Sequence, residues 1–318
     1  MQEELSNSNR EELAVLHIGK YFPPFAGGME NYLRDLMEEQ SRQGVHPSAL
    51  VHHSNLCLKS TKEVFRAGVE SFPVYRAALW GKMLFTPISP TFLWLLHKAI
   101  KQQKPDILHL HMPNVSAFWA LFLPGARRIP WVIHWHADVL ASNHSRGLRL
   151  FYRIYKPFES ALLRKSARII STSPPYLQTS KPLAPYRAKC DVVPLGLKPP
   201  QEPNDTLPAE AKDDKVLQVL AIGRLTYYKG FKYLIRAVAT ISGVHVHLVG
   251  EGELESELKQ LAQSTDATGK ITFHGKLPAK ELQEQFEACD CLCLPSIERT
   301  EAFGMVLLEA MSHAKATI

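Results

Sequence analysis

The chain has 318 residues, 45% of them hydrophobic and 21% charged, with a formal net charge of +6. That length exceeds what one hydrophobic core usually organises and points to two domains. No run approaches the roughly 18 apolar residues of a membrane helix, and the amino terminus "MQEELSNSNREE" is polar and acidic, unlike a secretory signal, so a soluble cytoplasmic chain is expected.

The charge is unevenly spread. Residues 1–200 hold 25 Lys and Arg against 14 Asp and Glu, whereas the remainder holds 12 against 17. Within the first part, the segment from Arg127 to Lys189 carries twelve basic residues and two acidic ones, interleaved with aromatics. Nucleic acid, an anionic membrane surface or a phosphorylated substrate would each answer such a field, and so would a plain solvated helix face.

In chain order, short apolar runs of strand length alternate with amphipathic segments of helix length, the pattern of parallel α/β sheets. Strands are expected near "LAVLHIG", "SALVHH", "FPVYRA", "DILHLHM", "WVIHWH", "ARIISTS" and "DVVPLG" in the first part. In the second they fall near "VLQVLAIG", "VHVHLVG", "ITFHG" and "CLCLPS". Between the sets, "KPPQEPNDTLPAEAKDDK" reads as a linker, giving domains over 1–198 and 199–318. Cys289, Cys291 and Cys293 alternate as one face of a strand would, without the spacing of a metal site.

Ligands of open α/β sheets bind at the carboxyl ends of the strands, and three such edges stand out. Gly27 and Gly28 precede a helix in "KYFPPFAGGMENYLRDL", where backbone N–H groups and missing side chains suit a phosphate. Arg224 and Lys229 lie five apart after a strand in "AIGRLTYYKGFKYLIRAV", two cations suited to a diphosphate. In "ERTEAFGMVLLEAM", Glu301 belongs to a loop and Glu309 to a helix, eight residues on. Both carboxylates are expected to face paired hydroxyls of a sugar or ribose; a loop acid and a solvated helix acid are the plain alternative.

Taken together, these motifs resemble one family. "EAFGMVLLE" looks like the E-x₇-E motif of retaining glycosyltransferases of family four, "GRLTYYKG" like their phosphate loop and "PPFAGGMENYL" like their amino-terminal glycine loop. The resemblance runs from about Leu13 to the end. It implies the GT-B fold, two Rossmann-like domains facing across a cleft, with the acceptor held mainly by the first and the nucleotide sugar by the second. The donor domain looks incomplete, because "SHAKATI" breaks off where the family usually continues. Carried over by position, the resemblance gives Arg224 and Lys229 to the diphosphate, approached by the Gly27–Gly28 loop. It gives Glu309 to the ribose and Glu301 to the transferred sugar, with Gly304 and Met305 between them completing the donor-binding set. "HWHADV" makes His136 the catalytic candidate, with Asp138 close by, and leaves the other strand histidines, His109, His111, His245 and His247, structural.

The implied reaction is transfer of a hexose, best read as mannose from GDP-mannose, to a lipid-linked oligosaccharide during surface polysaccharide synthesis. No cofactor and no metal are expected, since Arg224 and Lys229 would offset the leaving charge and no convincing D-x-D site occurs. A UDP-sugar donor is the enzymatic alternative. A non-catalytic nucleic-acid or anion-binding protein is the alternative from another class, though no recognised nucleic-acid motif supports it. The apolar stretches "FLWLLHKAI" and "SAFWALFLPGARRIPW", beside basic residues, suggest peripheral docking on the inner face of an anionic membrane; ordinary core helices are the plain alternative.

Overall fold

The computed structural model describes residues 13–25, 27–83, 86–139, 146–197, 216–301 and 303–318. The chain divides into two compact units, 1–194 and 195–318. The expected linker, residues 198–215, lies wholly outside the described residues.

The first unit opens with β1 (Ala14–Ile18), α1 (Gly28–Arg42) and β2 (His46–His52). A hairpin of β3 (Thr61–Ala67) and β4 (Glu70–Ala77) follows, then a short ribbon of β5 (Gly81–Met83) and β6 (Thr86–Ile88). Next come α2 (Phe92–Gln103), β7 (Ile107–Met112), a 3₁₀ turn over Val115–Phe118, and the short helices α3 (Trp119–Phe122) and α4 (Pro124–Arg127). The unit closes with β8 (Trp131–Trp135), α5 (Arg146–Lys165), β9 (Arg168–Ser171), α6 (Pro174–Thr179) and β10 (Cys190–Val192).

Eight of these strands form one sheet in the order β10-β9-β8-β7-β1-β2-β4-β3, parallel except for β3. The central strands are buried on both faces, which is why they read as continuous apolar runs. On one face Leu33 and Met37 of α1 pack with Phe22, Ala49, Val51, Phe72 and Val74. Helix α2 buries Phe92, Leu95, Leu96 and Ala99, so "FLWLLHKAI" is a core helix that leaves Trp94 at its surface. β3 was not expected from the sequence. Its residues TKEVFRA are mostly solvent-exposed, so no apolar run marks it, and its position at the sheet edge follows from the turn at Gly68.

In the second unit β11 (Leu217–Ile222), α7 (Phe231–Ala239), β12 (Val244–Val249), α8 (Glu255–Ser264) and β13 (Ile271–Gly275) alternate in βαβ fashion. They continue through α9 (Ala279–Ala288), β14 (Cys291–Leu292), α10 (Met305–Ser312) and β15 (Ala316–Thr317). The five strands run parallel in the order β13-β12-β11-β14-β15. One face packs Phe231, Ile235 and Leu258 of α7 and α8, the other Phe286 and Ala310 of α9 and α10. The three cysteines do not share a strand face as expected. Cys289 caps α9 and joins the α9–α10 side, whereas Cys291 and Cys293 pack toward α7 and α8; all are free thiols.

Candidate active site

In the second unit, the loop after β11 and the loop after β14 are built against each other. Gly230 sits between the 3₁₀ turn Tyr227–Lys229 and α7 with φ of +69°, and a Cβ there would lie 2.0 Å from the carbonyl oxygen of Pro295. Only glycine serves both demands. The Ile297 N–H donates to Tyr228 O at 2.8 Å, completing the seam.

Across that seam the Lys229 ammonium donates to Oε2 of Glu301 in a tight ion pair, and Ser296 Oγ donates to the same oxygen at 3.3 Å. The side chains are only 12% and 20% exposed, so the pair is partly desolvated. Arg224 reaches outward instead, its guanidinium 3.7 Å from Glu253 with both side chains well exposed. Gly304 starts α10 with φ of +75°, Met305 is its first residue, and Glu309 lies one turn further on. Burial pushes the Glu309 carboxyl above its usual range. Of the expected donor residues, the structure thus joins Lys229 directly to Glu301, which lie 72 residues apart in sequence.

In the first unit, Gly27 caps α1 and is crowded by Glu30: a Cβ at Gly27 would come 2.2 Å from Glu30 Oε2. Glu30 is buried, and that burial raises its carboxyl above the usual range. His136 follows β8, its N–H donating to Met112 O at 2.9 Å, with Tyr32 packed edge-on at 5.6 Å between ring centroids. Burial, with the neighbouring charge of His109 second, depresses the His136 pKa to about 3, so the ring is neutral at physiological pH. Asp138, expected near the chemistry, is a fastener. Its Oδ1 accepts from Trp135 Nε1 and from Ser180 Oγ, both at 2.8 Å, while its N–H donates to the Tyr176 hydroxyl.

Residues 27–196 match the family described as glycosyl transferase 4-like domain, and residues 204–318 match glycosyl transferases group 1. The chain belongs to the family-four glycosyltransferases. It is 28% identical over 315 residues to an O-antigen chain mannosyltransferase C of Escherichia coli, covering 96% of this chain and 79% of that protein. A D-rhamnosyltransferase of Pseudomonas aeruginosa is 26% identical over 313 residues, covering 96% of this chain and 77% of the relative. Among solved structures, sucrose-phosphate synthase of Thermosynechococcus elongatus superposes with a TM-score of 0.71 at 21% identity, and WaaG, involved in lipopolysaccharide biosynthesis, with 0.68 at 17%. They cover 96% of this chain and 80% of their own, and they show the fold, which is GT-B with two Rossmann-like domains.

One feature of this glycosyltransferase escaped the sequence reading. His111, taken as structural, has its Nδ1 3.0 Å from Nε2 of His136, and its Nε2 3.1 Å from Nδ1 of His17. His17 Nε2 in turn donates to Gln40 Oε1 at 2.7 Å. The signal was present as histidines spaced by two, at 109 and 111 and at 134 and 136, which places each pair on one face of its strand. The register that aligns those strands is not written in the residues themselves.

Proposed function

We propose that this glycosyltransferase moves a hexose, mannose from GDP-mannose, onto a lipid-linked oligosaccharide in surface polysaccharide synthesis, with retention of configuration. The Lys229–Glu301 pair carries the reading. A sugar nucleotide asks for a cation at its diphosphate and a carboxylate at its sugar hydroxyls, and here both meet in the loops that follow the adjacent strands β11 and β14. In the free protein each satisfies the other. An arriving diphosphate displaces Glu301 from Lys229, and the released carboxylate turns to the transferred sugar. Charge building on the leaving diphosphate is then offset by Lys229 and Arg224 without a divalent ion. Glu309 accepts the ribose hydroxyls, with Gly304 and Met305 forming the backbone beside it. Gly27 and Gly28 approach the phosphates, and His136 contacts the reacting sugar.

The names of the relatives support the sugar and the pathway class. Besides the O-antigen mannosyltransferase and the rhamnosyltransferase, a phosphatidyl-myo-inositol mannosyltransferase of Mycolicibacterium smegmatis is 26% identical over 305 residues. Thermal denaturation with GDP, UDP and ADP tests the donor: stabilisation by GDP is expected, and stabilisation by UDP alone would end the mannose assignment.

The acceptor domain docks reversibly on an anionic cytoplasmic membrane face in the same reading. Supporting it, α5 exposes Leu150 and Ile154 one turn apart beside Arg153 and Lys156, while Trp119 and Phe122 stand exposed on α3. Among the described residues no helix is long and apolar enough to cross a membrane.

A further inference from the structure

The sheet of the first unit carries an unusual inner face. His17 on β1, His109 and His111 on β7, and His134 and His136 at β8 all lie on one side, with His17 paired in register to His109 and His111 to His134. All five are buried. Burial is the largest cause holding each pKa below its ordinary value, to about 4 for His17 and about 3 for His136, so the rings are neutral. A neutral imidazole always carries one unprotonated nitrogen. In a fully buried ring, that lone pair normally has a partner. Here Nε2 of His109 and both ring nitrogens of His134 have no hydrogen-bond partner.

We propose that His17, His109 and His111 form a binding site for a transition-metal ion of the Zn²⁺ type. The nitrogens of this trio lie within 4.8 Å of one another. A tetrahedral ion with Zn–N bonds of about 2.0–2.1 Å needs nitrogens roughly 3.3 Å apart, and His17 Nδ1 and His111 Nε2 already stand at 3.1 Å. His109 stacks on His111 with centroids 4.6 Å apart and lies tilted by 36° against His17 at 4.9 Å, so a rotation of its ring brings in the third nitrogen. An all-imidazole set without thiolate suits Zn, Cu, Fe or Ni rather than Mg or Ca.

The surroundings supply what a ligating histidine requires beyond its own lone pair. Metal-bound imidazoles usually donate their second N–H to an oxygen, which fixes the tautomer. Gln40 Oε1 accepts from His17 Nε2 at 2.7 Å, which leaves Nδ1 of His17 unprotonated. A cavity of about 10 Å³, bordered by Gly19, Tyr21, Glu30, Leu33 and His111, has room for about one water beside the site.

Occupancy would reach His136 through a defined chain. Without metal, His17 Nδ1 accepts the proton of His111 Nε2, so His111 Nδ1 must accept the proton of His136 Nε2. With metal on His111 Nε2, its proton moves to Nδ1 and donates to His136 Nε2, and the His136 proton transfers to Nδ1. No proton is gained or lost, but the catalytic candidate exchanges its donor and acceptor nitrogens. The metal site itself stands apart from the donor assignment, because none of its three ligands belongs to the donor set.

The test uses the whole chain, stripped with a chelator, with Zn²⁺ titrated against a chromophoric competitor and Co²⁺ as an absorbing substitute. Binding of a single equivalent, with the tetrahedral Co²⁺ spectrum, is expected. His109→Asn should abolish tight binding, Gln40→Leu should weaken it about 10- to 100-fold, and His134→Asn should leave it intact; circular dichroism verifies that each variant folds. ¹⁵N chemical shifts of labelled histidine should report the tautomer exchange of His136 on Zn²⁺ addition. Absence of stoichiometric Zn²⁺ binding by the folded chain overturns the proposal. Loss of binding in His134→Asn but not in His109→Asn overturns the assignment to this trio, and an unchanged His136 signal on binding overturns the coupling.

Discussion

If Lys229 must leave Glu301 before it grips a diphosphate, then neutralising Glu301 should strengthen binding of the bare nucleotide while harming transfer. Exposed ion pairs are worth about 0–1 kcal/mol, and breaking fully buried ones costs about 3–5 kcal/mol. With side chains 12% and 20% exposed, the Lys229–Glu301 pair lies between these limits. About 1–2 kcal/mol is a reasonable toll for separating it, so Glu301→Gln should bind GDP roughly 5- to 30-fold more tightly. Turnover with the sugar nucleotide should fall at the same time, because the carboxylate proposed to receive the sugar hydroxyls is gone. Isothermal titration calorimetry with GDP measures the first effect and a single-turnover transfer assay the second. Removing any nearby negative charge would also favour a diphosphate, so the decisive measurement is the double variant. In a Lys229→Ala background the gain from Glu301→Gln should shrink to what the loss of a nearby negative charge alone supplies. An equal gain with and without Lys229, or weaker GDP binding in Glu301→Gln alone, would refute displacement of one partner by the other.

Three further outcomes are expected. Lys229→Ala should weaken GDP binding about tenfold, less than the roughly 1.5–3 kcal/mol of a charge-assisted contact because the wild-type lysine first breaks its pair; unaltered affinity would remove Lys229 from the diphosphate. Stability should fall as pH drops from 7 to 5. His17, His52 and His136 have folded pKa values of about 4, 4 and 3, so unfolding takes up their protons below the unfolded value near 6.5, each worth about 1.4 kcal/mol per pH unit. Glu159, raised to about 8 chiefly by burial, opposes with one proton, and Glu30 and Glu309, also raised by burial, oppose in the same sense, while His109, His111 and His134, held well below the ordinary value by burial, add to the uptake, so protons are taken up on balance; a urea midpoint independent of pH across this range would contradict it. Finally, co-sedimentation with anionic vesicles should decline as salt rises, since each Lys or Arg near the surface contributes about 1 kcal/mol of screened attraction; equal pelleting with neutral vesicles, or none, would remove the electrostatic membrane role.

The buried strands were legible because parallel sheets write themselves as apolar runs, as in "AVLHI" and "VHVHLV". The edge hairpin was not, because TKEVFRA faces solvent and its pairing with β4 is set by a turn rather than by burial. "CLCLPS" was read as a full strand, but the strand proper is Cys291–Leu292, with the Cys293 and Leu294 N–H groups still donating to Leu220 O and Ile318 O. The chain then bends away so that Pro295 O can lie against Gly230 and Ile297 can bond Tyr228. At the site, residue types were readable and partnerships were not. The sequence offered Lys229 and Glu301 as separate ligands of different groups on the donor. That they bind each other first depends on the packing of two loops whose closeness no spacing rule encodes.

The glutamate before α10 and the one within it are left in opposite condition by the fold, and that difference has chemical consequences for the proposed reaction. Glu301 has a lysine and a serine hydroxyl, so its charge is already answered and must be released to act. Glu309 has been moved out of water on the helix, and its burial raises the cost of ionisation. A ribose diol offers two O–H donors, the groups that stabilise a half-buried carboxylate, so nucleotide binding should relieve Glu309 of a penalty it carries in the free protein. Binding energy at the ribose is therefore available early, where it can offset the separation of Lys229 from Glu301. A bare sugar phosphate, lacking the ribose, would face that separation without this contribution. In the proposed reaction, recognition of the nucleoside and release of Glu301 toward the sugar would in this way be linked through α10 and the loop before it, with Gly304 as the turn that lets the loop enter the helix.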